Sequence, residues 1–230
     1  MDFTVYHATG TLFLDSIISE GLKPVDLESK YKVREALSFL LNIVPSEYGK
    51  DSEKYTTFVN SVHTSYGTIK NFINQDNSLF EHGSLYVNTG LDKTKEFALS
   101  REKASELATY AYHLYNFCNA HEWFGETDFD LQFADKFSEL INIFSQDNKP
   151  VVLSFVTNTE SIAAETGSKS QEYIEWFLNT QNSDERRQRC PESLRIIKPP
   201  VILPEYICIS VYSNENWSDM IRLTEYSMSN

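Results

Sequence analysis

Apolar and polar positions alternate at the start of the chain in FTVYHAT, the period of a short β-strand. The next stretch, LFLDSIISEGLKP, switches to helical spacing. It sets Leu14, Ile17 and Ile18 on one face, with Gly21 as a C-terminal cap and Pro24 beyond it. Residues 31–44 predict a second helix stopped by Pro45, and Val59, Val62, Tyr66, Ile69 and Ile73 recur at steps of three and four through a third. GSLYVNTG reads as a compact strand between turn residues. The segment from Leu91 to Phe117 then predicts one long amphipathic helix, with Phe97, Ala104, Leu107, Ala108, Ala111 and Leu114 inward and a capping-box-like start at Thr89 and Asp92. Phe133, Phe137, Leu140, Ile141 and Phe144 mark another helix, and PVVLSFVTN is a continuous apolar strand bounded by Pro150. ESLRIIKPPVILPEYICISVYS supplies two further strands divided by Pro199, Pro200 and Pro204. With no internal repeat or low-complexity linker, the pattern predicts a single α+β domain over 1–230, its strands drawn from distant parts of the chain around helical segments.

Composition narrows the class. The 230 residues can bury a core without covalent staples, and no apolar run approaches the length that spans a bilayer. MDFTVYH lacks a basic region followed by an apolar core, so no secretory signal is expected, and the reading is cytoplasmic with no membrane partner. Cys118, Cys190 and Cys208 are an odd number without paired spacing, which argues for reduced thiols rather than a disulfide framework or structural zinc. Cys118 with His121 is half a metal site without a second pair. Acidic residues exceed basic ones by 13, which opposes indiscriminate binding to phosphate backbones or anionic membranes. The dense basic stretch is DERRQRC, with Arg186, Arg187 and Arg189, followed by Arg195 and Lys198.

Three side chains with chemistry sit at strand ends. His7 closes the first strand ahead of Ala8, Thr9 and Gly10. Tyr86 stands on the strand that feeds a helix, with Thr94 eight positions and Phe97 eleven positions later, and Glu205 follows Pro204 at the start of a late strand. His63, His82, His113 and His121 fall in no such pattern and read as structural or surface groups.

VYHAT, LYVNTGLDKTKEF and PEYICIS, in this order, resemble the three motifs of the ADP-ribosyltransferase superfamily in its His-Tyr-Glu branch, shared by diphtheria-like toxins and poly(ADP-ribose) polymerases. Ala8 stands where the family has Gly. The resemblance implies a split, mostly antiparallel β core with large helical insertions, of which 31–80 is one. It implies NAD as substrate, held by His7, Ala8, Thr9, Tyr86, Thr94 and Phe97. Tyr86 and Phe97 sandwich the nicotinamide, Thr94 bonds its carboxamide, and His7 donates to the adenosine ribose. Glu205 is then the catalytic carboxylate, working with Tyr86 and His7 against positive charge on the ribose. The implied activity is mono-ADP-ribosyl transfer to a macromolecule, nucleic acid ahead of protein, in the manner of a bacterial toxin of a toxin–antitoxin or anti-phage system with a cognate antitoxin. An NAD glycohydrolase, a protein-modifying effector and a non-catalytic module that kept the fold are the alternatives.

Overall fold

The computed structural model describes residues 2–24, 30–43, 84–120, 129–164, 194–197 and 201–229. Their contacts gather the chain into two compact units: residues 1–25, 79–104 and 148–230 form one, and 26–78 with 105–147 the other. The pattern-based reading of a single domain with an insertion at 31–80 thus meets a helical unit that also takes in the chain from 105 to 147. The predicted helix at 59–73 lies outside the described residues.

The first unit is mixed helix and antiparallel sheet, as an α+β pattern requires. Strand β1 (Asp2–Gly10) pairs antiparallel with β3 (Pro150–Asn158) along its whole length, from Asp2 opposite Asn158 to Gly10 opposite Pro150. β3 pairs in turn with β6 (Cys208–Ser213), which turns back at Asn214 and Glu215 into the short strands β7 (Asn216–Trp217) and β8 (Ile221–Arg222). Both turn residues have positive φ, the backbone of a two-residue hairpin that follows the twist of the strands. A second sheet holds β2 (Leu85–Val87), β5 (Leu194–Ile196) and β4 (Ile162–Ala164), with β5 in the middle. Among the described residues the two sheets are bridged at Tyr6 and Asn88. These two exchange backbone hydrogen bonds of 2.7 and 2.8 Å.

The pleat of β1 divides its side chains between two faces. Ala8 and its partner Val152 lie on one, buried against Ala98, with Tyr6, Leu91, Phe97, Trp217 and Met220 packed around them. Val5, Thr9, Leu153, Phe155 and Ile209 are buried on the other. Helix α1 (Leu14–Glu20) buries Leu14 and Ile17 and ends at Gly21, whose φ of 83° is open to glycine. A Cβ there would also stand 2.8 Å from the Ile202 carbonyl, the group that accepts the Leu22 N–H. Helix α2 (Val33–Ile43) belongs to the helical unit.

The helix expected over 91–117 is two helices, α3 (Leu91–Ser100) in the first unit and α4 (Glu106–Ala120) in the second. Arg101 leaves helical backbone at φ −103°, ψ 74°, and Ala104 takes φ 62°. No glycine or proline marks this break. The cap of α3 is Gly90, not the box read at Thr89 and Asp92. The helix expected from Phe133 to Phe144 is likewise divided at Phe137, into α5 (Phe129–Lys136) and α6 (Ser138–Ser145). In the helical unit Phe133 and Phe137 are enclosed by Phe39, and Tyr115 stacks on Phe133 at 5.1 Å. A short helix, α7 (Leu223–Ser229), closes the first unit's described chain and was not predicted.

Candidate active site

The join between the two sheets is where His7, Ala8 and Tyr86 stand. Antiparallel register carries the Tyr6–Asn88 pair on to Ala8 opposite Tyr86, yet no backbone bond forms there. Instead the ring of His7 reaches the Tyr86 carbonyl, with Nδ1 at 2.7 Å. Because the N–H and C=O of Tyr6 point toward Asn88, those of Ala8, two residues on, point to the same edge, away from β3. Ala8 keeps negative φ and regular extended backbone, so its methyl group, at the position where the resembling motif has glycine, brings no strain.

A carbonyl only accepts, so His7 Nδ1 carries the proton in this bond. Burial pushes the imidazole pKa down from 6.5 to about 4, against the pull of the Tyr86 hydrogen bond, and the Arg101 charge lowers it further. The ring is therefore neutral at pH 7, and Nε2 is a bare acceptor. Sequence resemblance assigned His7 a donor role; the bond to Tyr86 turns that around, since the remaining nitrogen can only accept.

The depressed pKa also sets a pH dependence. As pH falls, the unfolded chain protonates His7 first, so the contribution to stability is complete above pH 6.5 and is lost toward pH 4. The loss reaches about 3 kcal/mol. His7→Asn, which keeps a donor for Tyr86 and does not titrate, is expected to flatten that part of the urea midpoint against pH. An unchanged slope between pH 6.5 and 4 would show that His7 is not the group involved.

The other expected residues are distributed as follows. Thr9 is buried opposite Val151, on the same face as His7. Thr94, fully buried in the first turn of α3, donates its hydroxyl proton to the Gly90 carbonyl at 2.8 Å, which leaves it acceptor capacity only. Phe97 packs on the Ala8 face with Lys93 5.2 Å and Arg101 5.8 Å from its ring centre. Tyr86 is half-buried on β2, directly across from Arg195 on β5, so the two side chains share a sheet face.

Glu205 is not brought to this group. It sits in a 3-10 turn (Pro204–Tyr206) ahead of β6 rather than in a strand, is exposed, and its backbone carbonyl accepts from Arg222 at 3.3 Å. β6 lies beyond β3, on the flank of β1 opposite β2. Among the described residues its carboxylate has no bond to His7, Tyr86, Thr94 or Phe97.

Arg101 escaped the sequence reading. Its Nη1 donates to the Ala8 carbonyl at 3.4 Å, and nothing in the polar run SREK distinguishes it from a solvated cation. Arg186, Arg187, Arg189 and Lys198 lie outside the described residues, as do Cys190, His63, His82 and His121. His113 is exposed on α4. Burial raises the Cys118 thiol to about 12, which makes it an inert core group. No group of three or more His, Cys, Asp or Glu fit for a metal ion occurs among the described residues. No described helix is long and apolar enough to cross a membrane.

In comparisons with known proteins the chain matches no family model, no curated protein and no solved structure.

Proposed function

We propose that this chain is an NAD-dependent ADP-ribosyltransferase that modifies nucleic acid. The observation that carries the reading is the parting of β1 from β2 at Ala8 and Tyr86. It leaves a backbone N–H and C=O turned to an edge between the His7 ring, which lies on one face, and Phe97 on the other. A primary carboxamide is the complement of such a backbone pair, donating to the carbonyl and accepting from the N–H.

In the reaction so read, the bond between ribose C1′ and the nicotinamide nitrogen breaks and its electron pair leaves with neutral nicotinamide. A nucleophile on the acceptor forms the new bond to C1′ and gives its proton to a carboxylate. Ala8 holds the carboxamide, and Tyr86 and Phe97 confine the aromatic ring. His7 Nε2 accepts from a ribose hydroxyl. A carboxylate beside C1′ stabilises the cationic transition state.

Two residues compete for that last role. Glu205 carries the motif resemblance, but strand order supports Glu192. Glu192 lies outside the described residues; in the sequence it stands two positions before Leu194, the first residue of β5, and β5 pairs with the strand of Tyr86. Nucleic acid is favoured as acceptor because Arg195 shares a face with Tyr86, and the Arg186, Arg187, Arg189 cluster precedes it in the chain. The rest of the protein is strongly acidic.

Incubation with NAD labelled in its phosphates, with RNA, DNA and cell-lysate protein as alternative acceptors, tests this. Label on nucleic acid is expected. Label on protein would move the acceptor, and label only in free ADP-ribose would make the chain a glycohydrolase. No release of nicotinamide in any mixture would overturn the reading.

A further inference from the structure

The edge of β1 that supports the NAD reading already has a neighbour from its own chain. Arg101 follows α3 and its backbone is held on both sides. The N–H donates to the Ala98 carbonyl at 3.2 Å, and the carbonyl accepts from the Ala104 N–H at 3.0 Å and the Asn148 side-chain amide at 3.3 Å. Asn148 is anchored in turn, accepting at its Oδ1 from the Leu12 N–H at 3.4 Å. From this fixed base the side chain extends to the Ala8 carbonyl, 3.4 Å from Nη1, with Cζ 5.8 Å from the centre of the Phe97 ring.

A guanidinium is flat, cationic and rimmed with N–H donors. The nicotinamide end of NAD is also flat and cationic and carries an N–H₂ donor. Both chemistries suit one carbonyl beside one aromatic face, and they cannot share it, since two positive groups at contact distance repel.

We propose that Arg101 is an internal competitor for the nicotinamide subsite, so that NAD binds by displacing its guanidinium from the Ala8 carbonyl and the Phe97 ring. The inference rests on the NAD reading above. It assigns Arg101 the setting of substrate affinity rather than a part in bond breaking. Because the backbone on either side is tied to Ala98, Ala104 and Asn148, displacement is a swing of the side chain alone. Once the glycosidic bond is broken nicotinamide is neutral, and the returning guanidinium competes for the carbonyl with a group that has lost its charge.

The test is calorimetric titration of NAD into the wild-type 230-residue chain, Arg101→Met and Arg101→Lys, with thermal melts to show that each is folded. Arg101→Met keeps the apolar stem and removes both donor and charge. It is expected to bind NAD about two- to tenfold more tightly, the range that one modest hydrogen bond represents. Arg101→Lys, whose compact ammonium cannot lie flat on Phe97, is expected to shift the same way by less, and it keeps the test decisive should the Met variant fail to fold. NAD bound by both variants no more tightly than by wild type would overturn the competitor role and leave the NAD reading standing. Weaker binding would do the same and make Arg101 a substrate ligand. No binding by wild type or either variant would remove the NAD reading, and this inference with it.

Discussion

Glu192→Gln is expected to lose transfer by about a hundredfold or more, the usual effect of removing a group that opposes charge developing in a transition state. Glu205→Gln is expected to stay within a few fold of wild type. The order of strands separates them. On the proposed reading the ribose lies beside Tyr86, Ala8 and His7, where β2 adjoins β1, and β5 is the strand that pairs with β2. Glu192, outside the described residues, precedes that strand in sequence alone, whereas Glu205 is seen in a turn beyond β3. Gln retains the size and one acceptor oxygen while removing the charge, so NAD affinity by calorimetry should change little in both. Rates of label transfer decide the matter. A loss confined to Glu205→Gln would return the role to Glu205, and loss in neither would remove both carboxylates from the chemistry.

Phe133→Ala is expected to destabilise the helical unit by about 3–5 kcal/mol, the range for emptying a fully enclosed aromatic position. The ring is inaccessible to solvent and touches three others, Phe39 at 5.8 Å, Tyr115 at 5.1 Å and Phe137 at 4.8 Å between centres. Removing it forfeits both its burial and its edge and face contacts, and three neighbouring rings are too large and too constrained to fill the space by a change of rotamer. Phe133→Leu, which keeps most of the volume, should cost distinctly less. Urea unfolding followed by circular dichroism at the helical signal reads the difference. A cost below about 1 kcal/mol for the alanine variant would mean that the aromatic cluster is not what holds this unit together.

Several parts of this arrangement were legible along the chain and others had no local signal. β1 and β3 announce themselves because nine-residue strands with apolar faces impose a period on the sequence. α1 does so through Gly21, whose positive φ few other residues tolerate. The break at Arg101 to Ser105 is silent. Ala104 adopts left-handed backbone without being Gly or Asn, and the apolar spacing runs through the break undisturbed. β7 and β8, at two residues each, are shorter than any period that could reveal them. His7, Tyr86, Thr94 and Phe97 were named through the resemblance of their motifs, and which strands stand side by side is not a property of such motifs. Glu205 stands out along the chain by its motif alone. The resemblance also gave His7 a hydrogen to donate, since nothing along the chain shows that the Tyr86 carbonyl already takes the only one.

The bond from His7 to the Tyr86 carbonyl has a mechanical meaning. The imidazole is a wedge: it claims the acceptor that the next rung of the ladder, Ala8 to Tyr86, would otherwise use, and so keeps two strands from zipping together. A strand pair relieved of such a spacer tends to complete its rungs, because an unmade backbone bond away from water is costly. Shortening residue 7 therefore threatens the open edge between Ala8 and Tyr86 and not just one contact beside it. On the proposed reading, loss of NAD binding in a small-residue variant has two meanings, a closed seam or a lost contact, and a bulky isostere that props the seam open without touching ribose tells them apart.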